Sequence, residues 1–158
     1  MKTIRYGILG LLLVVVCGVS QTHSAQETGP SRSDRERLIG AWHLVAIAGP
    51  DGKLLTTGVP TGMLIYTRDG HMSVQLMYPK SEKPLSNEYV ENGYEASFGS
   101  YEIHEATHTV THRVQGANTG DRLAGKELPR AYQFDAEGRL IIRSARPDEH
   151  WSVTWEHY

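Results

Sequence analysis

Short β-prone runs, separated by turn signals, follow one another from Leu38 to the end of the chain. Runs of this length with Gly, Pro, Asn and Asp between them are typical of strands, whereas helices need longer segments with helical periodicity. The sequence therefore predicts an all-β domain with few or no long helices. The eight runs lie at residues 38–48, 62–67, 72–78, 97–104, 108–115, 126–135, 139–145 and 150–157.

Tight turns join most of these runs, which favours an up-and-down antiparallel order. Closing eight such strands into a barrel leaves no unpaired edge, and a barrel of this size can hold one small ligand. We therefore predict an eight-stranded antiparallel up-and-down barrel, with a two-sheet sandwich as the competing architecture. At most a short helix is expected between the third and fourth strands, where residues 87–95, capped by Ser86 or Asn87, could lie across the barrel mouth.

The first hairpin, at residues 62–77, is predicted to turn at Asp69-Gly70. Asp-Gly tolerates the positive φ angles of a two-residue type I′ turn, which pairs Arg68 with His71. The apolar face of this hairpin would contain Met63, Ile65, Val74 and Leu76. The mixed face would contain Leu64, Tyr66, Ser73 and Gln75. Sequence reasoning does not decide which of the two faces lines the barrel.

The hairpin at residues 97–115 places a phenol beside an imidazole. Pairing His104 with Thr109 sets Tyr101 opposite His112 on an apolar face. If this face lines the barrel, each group can exchange a hydrogen bond with a carbonyl or hydroxyl group of a ligand. The alternative is that Tyr101 and His112 satisfy each other in the core.

The hairpin at residues 126–145 places a guanidinium on its apolar face. Pairing Phe134 with Leu140 sets Tyr132 opposite Ile142 and points Arg130 inward. Such a guanidinium can hold a carboxylate or phenolate with two hydrogen bonds, whereas an Arg at the end of a strand commonly extends to water. The predicted ligand-binding residues of the whole chain are Trp42, Tyr66, Gln75, Tyr101, His112, Arg130 and Tyr132.

Several kinds of catalytic and metal site are disfavoured. His104, His108 and His112 recur at every fourth position, but they fall on a hairpin and not on one face of a helix, so we expect no zinc site. The sequence contains no Gly-x-Ser-x-Gly elbow and no phosphate-binding Gly-Lys-Ser or Gly-Lys-Thr motif. We therefore expect no metal and no cofactor, and we assign no catalytic residue.

Residues 1–25 have the pattern of an export signal, with Lys2 and Arg5 before an apolar run and small residues near its end. The run is too short to span a bilayer. Cys17 could be lipidated, but Val16 occupies a position that such a signal gives to Gly, Ala or Ser. We therefore expect a secreted or periplasmic protein with no stable membrane span after signal removal, and we favour a lipoprotein less.

The expected organisation is a signal peptide at residues 1–25, a disordered leader at residues 26–36 and one barrel domain at residues 37–158. The alternative for the leader is a single helical turn begun by Ser33 or Asp34. Because Cys17 is the only cysteine, a mature chain without it has no disulfide and depends on its core.

The charge balance bears on the partners of the mature chain. The 16 basic residues include Lys2 and Arg5, so 14 remain after the signal is removed, against 18 acidic residues. A net charge of −4 with no basic patch gives no reason to expect nucleic acid as a partner. The oligomeric state is not defined by the sequence.

Four motifs have an order and spacing found in one known family. They are Leu38-Ile39-Gly40-Ala41-Trp42-His43-Leu44-Val45, residues 64–76 (LIYTRDGHMSVQL), Phe98-Gly99-Ser100-Tyr101-Glu102-Ile103 and Thr109-Val110-Thr111-His112. Together they resemble the lipocalin-like domain family of bacteria and fungi, a calycin-type barrel related in shape to the true lipocalins. The similarity covers about residues 37–156.

The resemblance implies a barrel with a small-molecule cavity, and it supplies no list of catalytic residues. In lipocalins a Gly-x-Trp motif begins the first strand and its Trp closes one end of the barrel, often beneath an Arg of the last strand. Here Gly40-x-Trp42 matches, whereas residues 151–156 contain no Arg.

We therefore expect the lumen to bind a small apolar or amphipathic molecule. One alternative is a cofactor-free cyclase or isomerase that acts on a small lipophilic substrate, with His112 or Tyr101 moving a proton. The other is an envelope interaction protein that uses its outer wall or the link at residues 79–93.

Overall fold

The computed structural model describes residues 32–55 and 60–158, which form one short helix followed by eight strands. The helix is α1 (Asp34–Leu38), and short 3₁₀ turns occupy Glu105–Thr107 and Gly120–Arg122. The strands are β1 (Gly40–Ala48), β2 (Thr61–Tyr66), β3 (His71–Met77), β4 (Tyr94–His104), β5 (Thr109–Ala117), β6 (Glu127–Phe134), β7 (Leu140–Ser144) and β8 (Ser152–His157).

Each strand pairs antiparallel with its neighbour in sequence, and β1 pairs with β8, which closes the barrel. The closing register runs from Trp42 opposite His157 to Ala48 opposite Ser152, with a bulge between Leu44 and Ala46. The predicted eight-stranded up-and-down barrel is confirmed, and the two-sheet sandwich is wrong.

The register of the first hairpin differs from the predicted one by one residue. His71 pairs with Thr67 and not with Arg68, because the Thr67 N–H donates to the His71 carbonyl oxygen at 2.9 Å and the His71 N–H donates to the Thr67 hydroxyl at 3.0 Å. The loop therefore has three residues, and Gly70 (φ +90°) takes the left-handed position that such a loop needs. The predicted two-residue turn is wrong because the prediction did not take account of the hydrogen bond to the Thr67 hydroxyl.

This slip decides which side chains of β2 face the interior, since neighbours on a strand point to opposite sides. The interior-facing side chains of the hairpin are Leu64, Tyr66, Met72, Val74 and Leu76. Met63, Ile65 and Gln75 lie on the outer face, so that both predicted faces are half wrong. Gln75 in particular cannot line the lumen.

The other two hairpins have the predicted registers. Tyr101 pairs with His112 across β4 and β5, and Arg130 pairs with Ser144 across β6 and β7. Tyr101, His112 and Arg130 consequently all point into the barrel and are buried.

The link between β3 and β4 contains bends and turns and no helix. The Asn87 side-chain oxygen accepts hydrogen bonds from the N–H groups of Tyr89 at 2.8 Å and Val90 at 2.9 Å, as an N-cap would, but no helix follows. The chain then reverses at Asn92 and Gly93, which both have positive φ angles, and β4 begins before a helix can form.

Helix α1 lies at the end of the predicted leader. The Ser33 hydroxyl caps it by accepting a hydrogen bond from the Glu36 N–H at 3.3 Å, as in the predicted alternative of a single helical turn. The predicted signal peptide and the leader up to residue 31 lie outside the described residues.

Helix α1 and three aromatic rings fill one end of the barrel, which we call the closed end. Leu38 is wholly buried, and its carbonyl oxygen accepts a hydrogen bond from the Trp42 indole at 2.9 Å. The His157 ring of β8 stacks on Trp42 with 3.5 Å between ring centroids, and the Arg37 guanidinium lies 3.7 Å from the centroid of Phe134. His157 thus covers Trp42 from the last strand, where the resemblance suggested an Arg.

Candidate functional site

A cavity of about 430 Å³ opens at the barrel end opposite α1, which we call the open end. Its volume falls within the range of roughly 300–1,000 Å³ that is usual for small-molecule sites. Its wall is mostly apolar, and Trp151 and Trp155 contribute two large rings. The loops at residues 49–55, 78–90 and 145–151 contribute to the mouth.

Four polar side chains of the strands interrupt this apolar wall. They are Glu95 and Ser97 on β4, His112 on β5 and Arg130 on β6. Side chains two positions apart on a strand share a face, so β4 places Glu95 and Ser97 on the same side as buried Tyr101. The cavity therefore contains both a carboxyl group and a guanidinium.

Arg130 is the most deeply buried charged group of the site, with 5% of its surface exposed. Its Nη1 atom has no hydrogen-bond partner among the described residues, and the nearest carboxylate oxygen, Oε2 of Glu149, is 3.9 Å away. The guanidinium carbon lies 4.8 Å from the centroid of Trp151 and 5.2 Å from that of Tyr89. Aromatic rings thus hold the cation while one of its donors stays unused. Arg130 points inward, and the alternative that it extends to water is wrong.

Glu95 faces the same cavity from β4. Burial raises the pKa of this carboxyl group to about 7, although the positive charge of Arg130 opposes the rise. Glu95 forms no ion pair with Arg130, whose one ion-pair contact within the described chain is with Glu149. Near neutral pH, Glu95 consequently exchanges between a carboxylate and a neutral acid.

His112 lies at the floor of the cavity and is hydrogen-bonded to Tyr66, with 2.6 Å between Nε2 and the phenol oxygen. Burial and the nearby charge of Arg130 lower the pKa of His112 to about 3, and burial raises the pKa of Tyr66 above its usual value. Both groups are therefore neutral at physiological pH. The Nδ1 atom of His112 has no hydrogen-bond partner within the described chain.

Tyr101 does not satisfy His112, although the two residues are paired across β4 and β5. The Tyr101 hydroxyl donates instead to the Thr67 carbonyl oxygen at 2.8 Å, and its ring packs on Tyr66 with centroids 4.7 Å apart. The alternative that Tyr101 and His112 bind each other is therefore wrong: the partner of the imidazole is Tyr66.

The structure brings two of the seven predicted residues into the cavity wall, namely His112 and Arg130. Tyr66 supports His112 from behind. Trp42, Tyr101 and Tyr132 pack in the core toward the closed end, where the Tyr132 hydroxyl donates to Asp34 of α1 at 3.1 Å. Gln75 is exposed on the outer face of β3.

Sequence reasoning did not identify Glu95, Ser97, Trp151 and Trp155 as lining residues. Glu95 was missed because the fourth strand was predicted to begin at residue 97, whereas β4 begins at Tyr94. Counting back in steps of two from Tyr101 reaches Ser97 and then Glu95, so alternation along a longer strand is the signal that could have found both.

A hydrogen-bonded cluster ties two loops together at the mouth, and we call it the mouth cluster. It consists of Tyr89, Ser144, Arg146 and Glu149. The Glu149 carboxylate accepts hydrogen bonds from Tyr89 at 2.9 Å and from Ser144 at 2.6 Å, and it also binds Arg146. Burial alone would raise the pKa of Glu149, but these donors hold it below its usual range.

Residues 32–55 and 60–158 contain neither a candidate metal-ion cluster nor a membrane-spanning helix. This part of the chain contains no cluster of three His, Cys, Asp or Glu side chains arranged to hold a metal ion. His104 and His108 are exposed near the closed end, whereas His112 points inward, so the three do not converge. No helix in the same ranges is long and apolar enough to cross a membrane.

A closed eight-stranded barrel with one plugged end and one open cavity defines a protein of the lipocalin-like class. The sequence profile of the lipocalin-like domain matches residues 39–157. The chain therefore belongs to the lipocalin-like domain family, as the motifs of its sequence predicted.

Solved structures that are similar to this chain include the following two. A lipocalin-like protein from Bacteroides uniformis is 12% identical, and the match covers 77% of this chain and 99% of that protein with a TM-score of 0.49. A mutant of the fluorescent protein UnaG is 10% identical, and the match covers 78% of this chain and 97% of that protein with a TM-score of 0.41. No curated protein matches the sequence.

Proposed function

We propose that the barrel binds a small amphipathic molecule, with its apolar body in the cavity and an anionic group at Arg130. The observation that carries this proposal is the buried guanidinium with an unused Nη1 donor in the wall of a 430 Å³ apolar cavity. A buried charge without full hydrogen bonding is costly. A ligand carboxylate that accepts this donor removes the cost and forms a charge-assisted hydrogen bond in surroundings of low dielectric constant.

The apolar wall provides the rest of the binding free energy. Apolar surface that leaves water contributes about 25 cal/mol for each Å². Strand residues from most of the barrel, including Leu64, Val74, Ile142 and Val153, present such surface to the cavity. An aliphatic or aromatic body therefore fits this site better than a sugar or a nucleotide would.

Tryptophan emission tests the proposal, because Trp151 and Trp155 line the cavity whereas Trp42 lies at the closed end. Titration with decanoate should change the emission and raise the melting temperature. Replacing Trp151 and Trp155 together with Phe should abolish the change in emission and leave the thermal shift in place. If a panel of lipophilic anions changes neither the emission nor the melting temperature of the natural chain, lumenal binding is wrong.

A matched pair of variants on β3 tests whether the ligand occupies the lumen. Val74 faces the cavity and its neighbour Ser73 faces outward, so Val74→Phe fills the cavity whereas Ser73→Phe leaves it open. Calorimetric affinity for decanoate should fall at least about tenfold in Val74→Phe and stay unchanged in Ser73→Phe. Equal losses in the two variants would place the ligand outside the barrel.

We also propose that the protein is exported and acts in a periplasmic or extracellular space. The support is the pattern of residues 1–25, with Lys2 and Arg5 before an apolar run. Expression of the full chain in a Gram-negative host, followed by fractionation and intact mass measurement, tests this. A periplasmic product shortened near residue 25 is expected, and a full-length cytoplasmic product would contradict export. A mass increase by acyl groups at Cys17 would instead favour a lipoprotein.

A second candidate function is isomerisation of a small lipophilic substrate, and Glu95 is the observation that favours it. A carboxylate with a pKa of about 7 in an apolar cavity can take a proton from a carbon next to a carbonyl group. Arg130 would stabilise the oxyanion that forms, and the proton would return from Glu95 to another carbon of the same substrate. His112 is a poor base for this step, because its pKa of about 3 leaves it weakly basic, and Tyr101 does not line the cavity.

Base-catalysed ring opening of nitrobenzisoxazole tests whether Glu95 can act as a base. The carboxylate takes the ring C–H proton, the nitrogen–oxygen bond breaks, and the products are a nitrile and a phenolate whose colour gives the rate. The rate should be half-maximal near pH 7 and approach a plateau about one pH unit higher, and Glu95→Gln should abolish it. Glu102→Gln, on the outer face of the same strand, is the control. A rate no faster than the buffer reaction would remove the catalytic role of Glu95.

A further inference from the structure

The cavity contains two opposite charges that do not neutralise each other. Arg130 enters from β6 and is held between Trp151 and Tyr89, while Glu95 enters from β4. The Arg130 guanidinium makes its one ion-pair contact in the described chain with Glu149, at the long distance of 3.9 Å. Glu95 is partly buried in the cavity wall and has no hydrogen-bond or ion-pair partner among the described residues.

Direct pairing of these two groups would have been the simplest way to satisfy both. An acid and a guanidinium in contact form two parallel hydrogen bonds and offset much of the cost of burial. The barrel instead keeps them on different strands of the same wall, with β5 between β4 and β6. Each group therefore presents unused hydrogen-bonding capacity to whatever occupies the space between them.

We propose that the cavity recognises its ligand at two points, with Arg130 binding an anionic group and Glu95 binding a hydrogen-bond donor of the same molecule. The ligand class is then a small lipophilic acid that also carries a hydroxyl or amino group. This inference rests on the proposed function and adds the second polar group of the ligand. It also explains why a cavity with an apolar wall carries charges of both signs.

Two other polar groups of the cavity wall are consistent with a ligand of this kind. Ser97 shares the face of Glu95 on β4, and its hydroxyl can either donate or accept a hydrogen bond. His112 keeps Nδ1 free of protein partners in the described part of the chain, while Tyr66 holds Nε2. A hydroxyl or amino group near Glu95 thus has Ser97 as a further polar neighbour on β4, and His112 offers a second polar atom elsewhere in the same cavity.

Acids of one chain length that differ only in the donor group test the inference. Decanoate, β-hydroxydecanoate, ω-hydroxydecanoate and ω-aminodecanoate are titrated calorimetrically at pH 8, where Glu95 is mostly ionised. At least one of the three substituted acids should bind about tenfold or more tightly than decanoate, as expected for one hydrogen bond to a charged group. Decanol should bind about tenfold or more weakly than decanoate, because it cannot neutralise Arg130.

Two variants assign each preference to its residue. Glu95→Gln should reduce the advantage of the substituted acid over decanoate, measured within that variant, at least about threefold. Arg130→Met should abolish the preference for decanoate over decanol. The controls are Glu102→Gln and Arg143→Met, which remove the same charges from the outer wall of the barrel and should alter neither preference.

The outcomes separate the inference from the function on which it rests. If decanoate binds in the lumen but no hydroxyl or amino group improves its affinity, two-point recognition is wrong and the proposed binding function stands. The same holds if an improvement persists undiminished in Glu95→Gln. If no acid of the series binds, or if Val74→Phe leaves the affinities of those that bind unchanged, the proposed function fails together with the inference.

Discussion

The charged groups of the open-end cavity differ from the polar groups of the closed end in how far the protein itself satisfies their hydrogen bonding. At the closed end and the adjoining core the Trp42 indole, the Tyr101 hydroxyl and the Tyr132 hydroxyl each donate to an oxygen of the protein. At the open end Arg130 keeps an unused donor and Glu95 has no partner among the described residues. At the closed end the protein satisfies these polar groups itself, whereas at the open end it leaves Arg130 and Glu95 without full partners.

The two ends should consequently respond differently to the same chemical change. Satisfied polar groups and packed apolar side chains lower the free energy of the folded state, so removing them at the closed end is costly. Unsatisfied charges raise that free energy, so removing them at the open end should cost little stability or increase it. Functional sites often carry such a stability cost.

Leu→Ala substitutions at the two ends should show the largest difference. Leu38 is fully buried under α1, whereas Leu54 is 60% exposed in a loop of the open end. Leu38→Ala should lower the free energy of unfolding by about 2–5 kcal/mol, and Leu54→Ala by about 0.5 kcal/mol or less. Urea denaturation followed by circular dichroism measures both. Equal losses would contradict the division of the barrel into a packed end and an open one.

The pH dependence of the free energy of unfolding should show how much the ionised Glu95 carboxylate destabilises the folded protein. The pKa of Glu95 is about 7 in the folded chain against 4.5 for a free glutamate side chain, so the folded state binds more protons than the unfolded state between these values. Stability should therefore fall as pH rises from about 4.5 to about 7, by about 1.4 kcal/mol for each pH unit between the two pKa values.

Urea denaturation over that pH range, compared between the natural chain and Glu95→Gln, measures this contribution. The variant should lack the fall and be the more stable protein at pH 8. Glu102→Gln should behave as the natural chain does. A Glu95→Gln variant that is less stable than the natural chain at pH 8 would show that the carboxylate has a favourable partner.

Tyr66→Phe should destabilise the protein by about 1–3 kcal/mol. The change leaves the ring in place and removes the hydroxyl that binds Nε2 of His112, so that a buried imidazole nitrogen loses its partner. The double variant Tyr66→Phe with His112→Leu should recover part of the loss, because it removes the unpaired group. Denaturant melts of the four proteins measure this coupling, and strictly additive losses would contradict it.

The exposed ion pairs of the open end should matter least. Lys126 Nζ lies 3.0 Å from Oε1 of Glu88 in the loop over the mouth, and both side chains are partly solvated. Lys126→Ala should change the free energy of unfolding by about 0.5 kcal/mol or less. A loss above about 1 kcal/mol in the same denaturation measurement would show that this loop belongs to the stable part of the barrel.

Local pattern was sufficient to predict the strands and two of three hairpin registers, because alternation and turn residues act over short distances. The predicted register of the first hairpin was wrong because of a single side chain. The hydroxyl of Thr67 accepts a hydrogen bond from the His71 N–H, and the loop has three residues instead of the two that Asp69-Gly70 alone favours. The position of Arg130 followed from the turn before Leu140.

The open end was harder to predict because its contacts join distant parts of the chain. Identifying Glu95 as a cavity-lining residue requires knowing where β4 begins, and that start is set by the reversal at Asn92 and Gly93. The hydrogen bond from Tyr89 to Glu149 in the mouth cluster joins residues 60 positions apart, and the periodicity of neither segment predicts it. Long-range side-chain pairing of this kind is decided by the closed barrel and not by local sequence.

Closure of the barrel also limits how the molecule can associate with other chains. Each described strand has a neighbour on both sides, so none offers the free backbone groups that seed strand addition or cross-β aggregation. Self-association through these strands must therefore use side chains, and Phe98 and Met77, both more than half exposed on the outer wall, are the largest apolar surfaces there. Aggregation by backbone pairing would first require the seam between β1 and β8 to open.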